Sequence, residues 1–163
     1  LAEFKGVERR LQARGEARGV TVVDDYGHHP TEIRATLAAL KEHYPDRRLV
    51  VMFQPHRYSR TKLLYRAFGG AFTDAGHVVL LDVYPAGEAP IQGVSSDLVE
   101  AGLRAAGVGV SRARGADEAM EALDHCLRPG DMLLTLGAGD VWKLGERWVR
   151  PKPARASEAN ARV

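Results

Sequence analysis

Apolar residues run in short unbroken blocks, and between the blocks they return at every third or fourth position. The blocks at residues 20–23, 49–53, 78–83, 108–110 and 132–136 predict strands, and continuous runs of this kind suit a parallel sheet covered on both faces. Ile33, Leu37, Leu40 and Tyr44, spaced four, three and four apart, predict a helix that Pro30 opens and Pro45 closes. Leu64, Ala67, Phe68, Ala71 and Phe72 mark a second helix. Val99, Leu103 and Ala106 mark a third that ends near Gly107. Ala116, Met120, Leu123 and Leu127 mark a fourth, and Val141, Leu144 and Trp148 a last. Residues 7–13 and 20–23 flank Arg14-Gly15-Glu16-Ala17-Arg18-Gly19, which predicts an N-terminal hairpin. Strands alternating with helices specify an α/β domain: Rossmann-like, three-layered, with a mostly parallel sheet and right-handed crossovers. Residues 151–163 carry two prolines and no apolar period, and predict a disordered tail behind a single domain at 1–150.

Composition narrows the class. A chain of 163 residues, 45% of them hydrophobic, is the size of one domain with a sizeable core. Its 23 basic and 21 acidic residues are interspersed and leave a net charge of only +2, which argues against nucleic-acid binding. The single cysteine, Cys126, excludes an internal disulfide and is expected as a buried thiol. No apolar run reaches the roughly 20 residues needed to cross a bilayer, and no signal peptide pattern opens the chain, so a cytoplasmic protein with no membrane partner is expected. A start at Leu1, not methionine, suggests a piece of a longer polypeptide.

Polar residues collect where predicted strands end. Asp24-Asp25-Tyr26-Gly27-His28-His29-Pro30 follows one strand and Gln54-Pro55-His56-Arg57-Tyr58-Ser59-Arg60-Thr61 another. In an open parallel sheet the ligand crevice lies outside the carboxyl ends of the strands. A carboxylate of the Asp24/Asp25 pair can accept ribose hydroxyls or cap a turn. His28 and His29, adjacent on extended chain, point to opposite faces, which favours hydrogen bonding to a substrate over chelation of a metal. Arg57 and Arg60, if a helix begins near Tyr58, face one way from its first turn and with its N–H groups form a seat for a carboxylate or phosphate. Gly137-Ala138-Gly139-Asp140 is a tight strand-to-helix turn without a full dinucleotide fingerprint, and the roles of Gly87 and Glu88 are open. No Gly-x-x-x-x-Gly-Lys-Ser/Thr loop is present, so the domain reads as one wall of a site. A free-standing, non-catalytic nucleotide or anion-binding module is the rival reading from another class.

Those two runs, with Asp82-Val83-Tyr84-Pro85-Ala86-Gly87-Glu88 and Gly137-Ala138-Gly139-Asp140, closely resemble the C-terminal domain of the Mur ligase family, in its UDP-N-acetylmuramate:L-alanine ligase branch, across residues 4–150. The resemblance implies the third, closing domain of an ATP-dependent ligase of peptidoglycan synthesis. ATP would phosphorylate the muramyl carboxylate, and the amine of L-alanine would attack the acyl phosphate. It implies UDP-N-acetylmuramate, L-alanine and ATP as substrates. It also implies two upstream domains of the same polypeptide, the central one holding the phosphate loop, the Mg ligands and the catalytic residues. By matching position, Arg10 resembles the arginine that reaches the ATP phosphates and Asp25 the acid that holds the ribose. Tyr26, His28, His56, Arg57 and Arg60 resemble the group that seats the alanine end of the substrate. Leu11 departs from the family, which usually has an aromatic residue there. The murein peptide (tripeptide) ligase domain is the alternative, set apart by its lack of the His-Arg-Tyr-Ser-Arg run.

Overall fold

The computed structural model describes residues 9–150, so the predicted tail at 151–163 and the first residues of the predicted hairpin lie outside the described residues. The chain orders as β1 (Gln12–Ala17), β2 (Val20–Asp25), α1 (Pro30–His43), β3 (Leu49–Phe53), α2 (Tyr58–Ala71), β4 (His77–Leu81), α3 (Ser96–Ala105), β5 (Val110–Ala113), α4 (Ala116–Cys126), β6 (Met132–Leu136) and α5 (Trp142–Val149). One six-stranded sheet runs β1-β2-β6-β3-β4-β5. Only β1 is antiparallel to its neighbour, as the predicted hairpin requires.

Helices cover both faces. Ile33, Leu37 and Leu40 of α1, Phe68 of α2 and Val99 and Leu103 of α3 pack with Val51, Phe53, Leu80 and Leu134 on one side. Ala119 and Leu123 of α4 and Trp148 of α5 pack with Val22, Val50, Met52, Val79 and Leu133 on the other. This double covering explains the unbroken apolar strands, since all five residues of β3 and of β6 are buried. Phe53 sets its ring 5.3 Å from Phe68 and 5.0 Å from Phe72, anchoring α2 directly beneath the loop that precedes it.

The departures from expectation fall at edges. The first strand runs over Gln12–Ala17, later than expected, with a bulge between Ala13 and Gly15 and a two-residue turn at Arg18 and Gly19, both at positive φ. As an exposed edge strand it needs little apolar sequence, so its polar residues read as a turn. The same holds for β5, which extends to Ala113 through an ion-paired Arg112, whereas the apolar block suggested 108–110. Tyr44, placed in the α1 stripe by its spacing, is the helix C-cap and 46% exposed. Cys126 is half-buried against the second core cluster, and burial pushes its thiol pKa up.

The chain leaves β2 and β3 toward the α1/α2 face and leaves β6, which lies between them, toward α5 on the other. The loops after these three strands therefore diverge at a topological switch point, where α/β sheets bind their ligands.

Candidate functional site

Backbone hydrogen bonds stitch the four C-terminal loops together. The Gly137 N–H donates to Asp25 O, and the Gln54 N–H to Leu136 O. Farther along the edge, the Arg57 N–H donates to Tyr84 O at 2.8 Å and the Tyr84 N–H to Pro55 O at 2.8 Å. Two glycines permit this closeness. A Cβ on Gly137, whose φ is +147°, would stand 2.8 Å from Gln54 O. One on Gly139 would stand 2.8 Å from the Gln54 side chain and 2.9 Å from the Tyr84 ring. The Gly-x-Gly turn thus serves loop packing.

Asp24 and Asp25 close β2 and are both buried. The Asp24 carboxylate, fully buried, accepts Arg9 Nε at 2.9 Å, the Thr135 hydroxyl at 2.6 Å and Arg14 Nη2 at 3.4 Å. It anchors structure, since loss of a partner would leave a buried charge uncompensated. Asp25 is 2% exposed. Its carboxylate accepts the Gly27 N–H at 2.8 Å, the Thr36 hydroxyl at 3.3 Å and the Leu11 N–H at 3.0 Å. A carboxylate has about four lone-pair positions, so about one is left without a partner in the domain.

The two histidines part company, as extended chain requires. His29 is the N-cap of α1: its ring accepts the Thr31 N–H, and Glu32 accepts both the His28 and His29 N–H groups, completing a capping box. Burial raises the pKa of the Glu32 carboxyl, but those two N–H donors and nearby charges, Arg10 among them, hold it below its usual range. His28 turns the other way, into a row of rings. Tyr26 meets His28 edge-on at 5.4 Å, His28 lies 5.7 Å from His56, and His56 stacks on Tyr84 at 5.6 Å. Tyr26 opens the row at 39% exposure.

Burial, followed by the neighbouring charges, lowers the pKa of His28 and of His56; the partner ring and Arg60 act on His56, and Arg60 and His29 on His28. Both imidazoles are therefore neutral at pH 7, and the arginines carry the positive charge. Both guanidinium groups act on His56, and each has a further neighbour. Arg57 stands 3.9 Å from the Glu88 carboxylate. Arg60 reaches the histidines, where its Nη1 is buried without a hydrogen-bond partner, as are His56 Nδ1 and Gln54 Oε1. The α2 N-terminus that was expected to seat an external anion already holds one: Glu88 accepts the Ser59 N–H at 3.0 Å and the Ser59 hydroxyl at 2.5 Å.

Arg57 has φ 71° and ψ 137°, a region sparsely populated by residues with a side chain, and its own carbonyl accepts the Thr61 N–H and hydroxyl. Strain of about 1–3 kcal/mol held in place by such contacts is typical of a working site. Arg10 is exposed. Sequence reasoning missed Arg9 and Arg14 and left Tyr84 and Glu88 without a role; for the arginines the one available signal was the acidic pair at a strand end, because a buried carboxylate demands partners.

Residues 9–139 match the family described as Mur ligase, glutamate ligase domain. The chain belongs to the Mur ligase family. It is 55% identical over 147 residues to a UDP-N-acetylmuramate–L-alanine ligase of Desulfosudis oleivorans, covering 90% of this chain and 32% of that protein. It is 53% identical over 159 residues to one of Geobacter, covering 96% and 34%. The chain thus spans about a third of the length of the curated relatives it matches. Among solved structures it resembles the UDP-N-acetylmuramate-alanine ligase MurC of Thermotoga maritima, with TM-score 0.72, 29% identity, and coverage of 90% of this chain and 30% of that one. A murein peptide ligase from Psychrobacter arcticus shares the Mur ligase fold at TM-score 0.73 and 20% identity. Among the described residues of this Mur ligase domain no helix is long and apolar enough to cross a membrane.

Proposed function

We propose that this Mur ligase domain is the closing, C-terminal domain of an ATP-dependent ligase that joins L-alanine to UDP-N-acetylmuramate through an acyl phosphate, in cytoplasmic peptidoglycan synthesis. Identity of 53–55% to named alanine ligases over nine-tenths or more of this chain supports the substrate pair. The observation that carries the assignment of sides is the presence of two buried, unpartnered atoms, Arg60 Nη1 and His56 Nδ1, the latter on a ring of the row. Buried polar atoms without partners are rare in a folded domain, and a bound carboxylate and amine would satisfy both.

On this reading Arg57 and Arg60 bind the alanine carboxylate by charge-assisted hydrogen bonds. Neutral His28 and His56 orient the amine beside them, and Tyr26 limits room for the side chain. Arg10, beside Glu32 at the start of α1, reaches the ATP phosphates, and Asp25 offers its remaining lone pair to the ribose. Domain closure brings these groups onto the nucleotide and acyl phosphate and keeps water from hydrolysing that mixed anhydride. Among the described residues no three His, Cys, Asp or Glu side chains gather as a metal seat. The reading places Mg2+ and the phosphate loop on a central domain upstream in the same polypeptide, as the family resemblance implies.

The deciding experiment is phosphate release by the purified full-length protein. Turnover that needs both L-alanine and UDP-N-acetylmuramate is the expected result. Turnover with a preformed tripeptide in place of L-alanine would transfer the domain to the murein peptide ligases.

A further inference from the structure

Arg10 occupies an unusual turn. The residues on both sides of it, Arg9 with φ 61° and Leu11 with φ 45°, are left-handed, although neither is glycine. Three main-chain bonds hold the turn. The Arg9 carbonyl accepts the Tyr26 N–H at 2.7 Å, the Arg9 N–H donates to Gln12 Oε1 at 3.2 Å, and the Leu11 N–H donates to the Asp25 carboxylate at 3.0 Å.

The Arg9 side chain runs inward from the same turn and spends every nitrogen of its guanidinium. Nε bonds the Asp24 carboxylate at 2.9 Å, Nη1 the Gly139 carbonyl at 2.9 Å and Nη2 the Gly137 carbonyl at 2.7 Å, while the group lies 5.3 Å over the Tyr26 ring. Asp24 is held in turn by Thr135 on β6 and by Arg14 on β1. Arg9 is thus bolted to β2, to the loop after β6 and to the start of the ring row, and it is the residue next to Arg10.

We propose that Arg9, gripped by Asp24, is a positioning residue that fixes Arg10 as a preorganised finger toward the nucleotide. The proposal rests on the reading of Arg10 as the phosphate contact. A flexible arginine must be ordered each time it engages an anion, whereas one presented from a braced turn has less freedom left to lose. The buried Asp24 also neutralises Arg9, so the outward charge of the turn is carried by Arg10. Arg9 needs the planar fork of a guanidinium for this, because three acceptors in a fixed arrangement cannot be met equally by an ammonium.

The test is a double-mutant cycle in the full-length ligase, with KM for ATP and for L-alanine measured separately. Arg9→Met is expected to raise KM for ATP about tenfold and KM for L-alanine, through the lost contact with Tyr26, by less than about threefold; in an Arg10→Ala background the same change should alter KM for ATP less than about twofold. Arg9→Lys should restore little. Losses that multiply across the cycle, or that fall equally on both substrates, would overturn the role of Arg9. Wild-type ATP kinetics in Arg10→Ala would overturn the nucleotide reading itself, a separate and visible failure. If Arg9→Met does not fold, Leu11→Gly serves instead, since glycine accepts φ 45° freely and only softens the turn. A KM for ATP raised about threefold supports the proposal, and an unchanged one overturns it.

Discussion

The Glu88 carboxylate sits on the first turn of α2, where Ser59 donates to it through both its backbone N–H and its hydroxyl. These two bonds, with the Arg57 charge, hold the Glu88 carboxyl pKa below its usual range. An internal carboxylate therefore occupies the helix end and steadies Arg57 at 3.9 Å. Glu88→Gln keeps the size of the side chain and removes its charge. In the full-length ligase it is expected to raise KM for L-alanine about tenfold through misplacement of Arg57, with KM for ATP unchanged. Equal effects on both substrates in steady-state kinetics would refute this link.

Arg57→Ala removes the guanidinium itself. The expected loss is about 1.5–3 kcal/mol in kcat/KM for L-alanine, the worth of a charge-assisted hydrogen bond. Titration of initial rate against L-alanine at saturating ATP measures it, and unchanged kinetics would remove Arg57 from the site.

Gly137→Ala forces a methyl group against Gln54 O in a backbone conformation that L side chains rarely adopt. A destabilisation of about 1–3 kcal/mol is expected, read from the urea midpoint of this chain. Gly87→Ala is the contrast. Its φ of +85° imposes the backbone cost, but open space surrounds the new Cβ, so the smaller loss is expected there.

Stability should fall on mild acidification. His28, His56 and His77 all have pKa values lowered from 6.5 in the folded chain, in each case chiefly by burial. Below pH 6.5 the unfolded chain binds protons that the folded one refuses. The contribution is therefore intact above 6.5 and is lost as pH drops toward the folded values. Urea midpoints at pH 8, 7, 6 and 5 should be level at first and then decline. His56→Gln with His77→Gln should flatten the curve, and a wild-type curve already flat from 7 to 5 would contradict the burial argument.

One wall of a nucleotide site binds nucleotide poorly. Calorimetry of this chain with ATP is expected to show weak or undetectable heat, and tight binding by the domain alone would favour a self-sufficient binding module.

The sequence made the interior legible and the edges obscure, for a physical reason. Strands buried on both faces, such as β3 and β6, must be apolar throughout and so announce themselves. The exposed β1 and the ion-paired β5 carry polar residues that mimic turns. In the site, Tyr26, His28, His56 and Arg60 lie on the sheet edge that the strand-end polar runs marked, while their grouping came from the family resemblance. The partners that discipline them do not show in the chain. Glu88 meets Ser59 across 29 residues and Arg9 meets Gly139 across 130, distances over which no local pattern carries information.

The placement of β6 has a consequence for biosynthesis. It is the last strand of the described chain, yet it pairs with β2 through Val23 and Leu134 and with β3 through Val51 and Leu134. On the ribosome, everything up to Leu127 emerges while β2 and β3 still lack the neighbour that joins them, leaving two apolar strand edges open until residue 136 is clear of the exit tunnel. Such late, long-range closure is slow and exposes the nascent chain to association. The central strand that completes the sheet is therefore also the one on whose arrival productive folding waits.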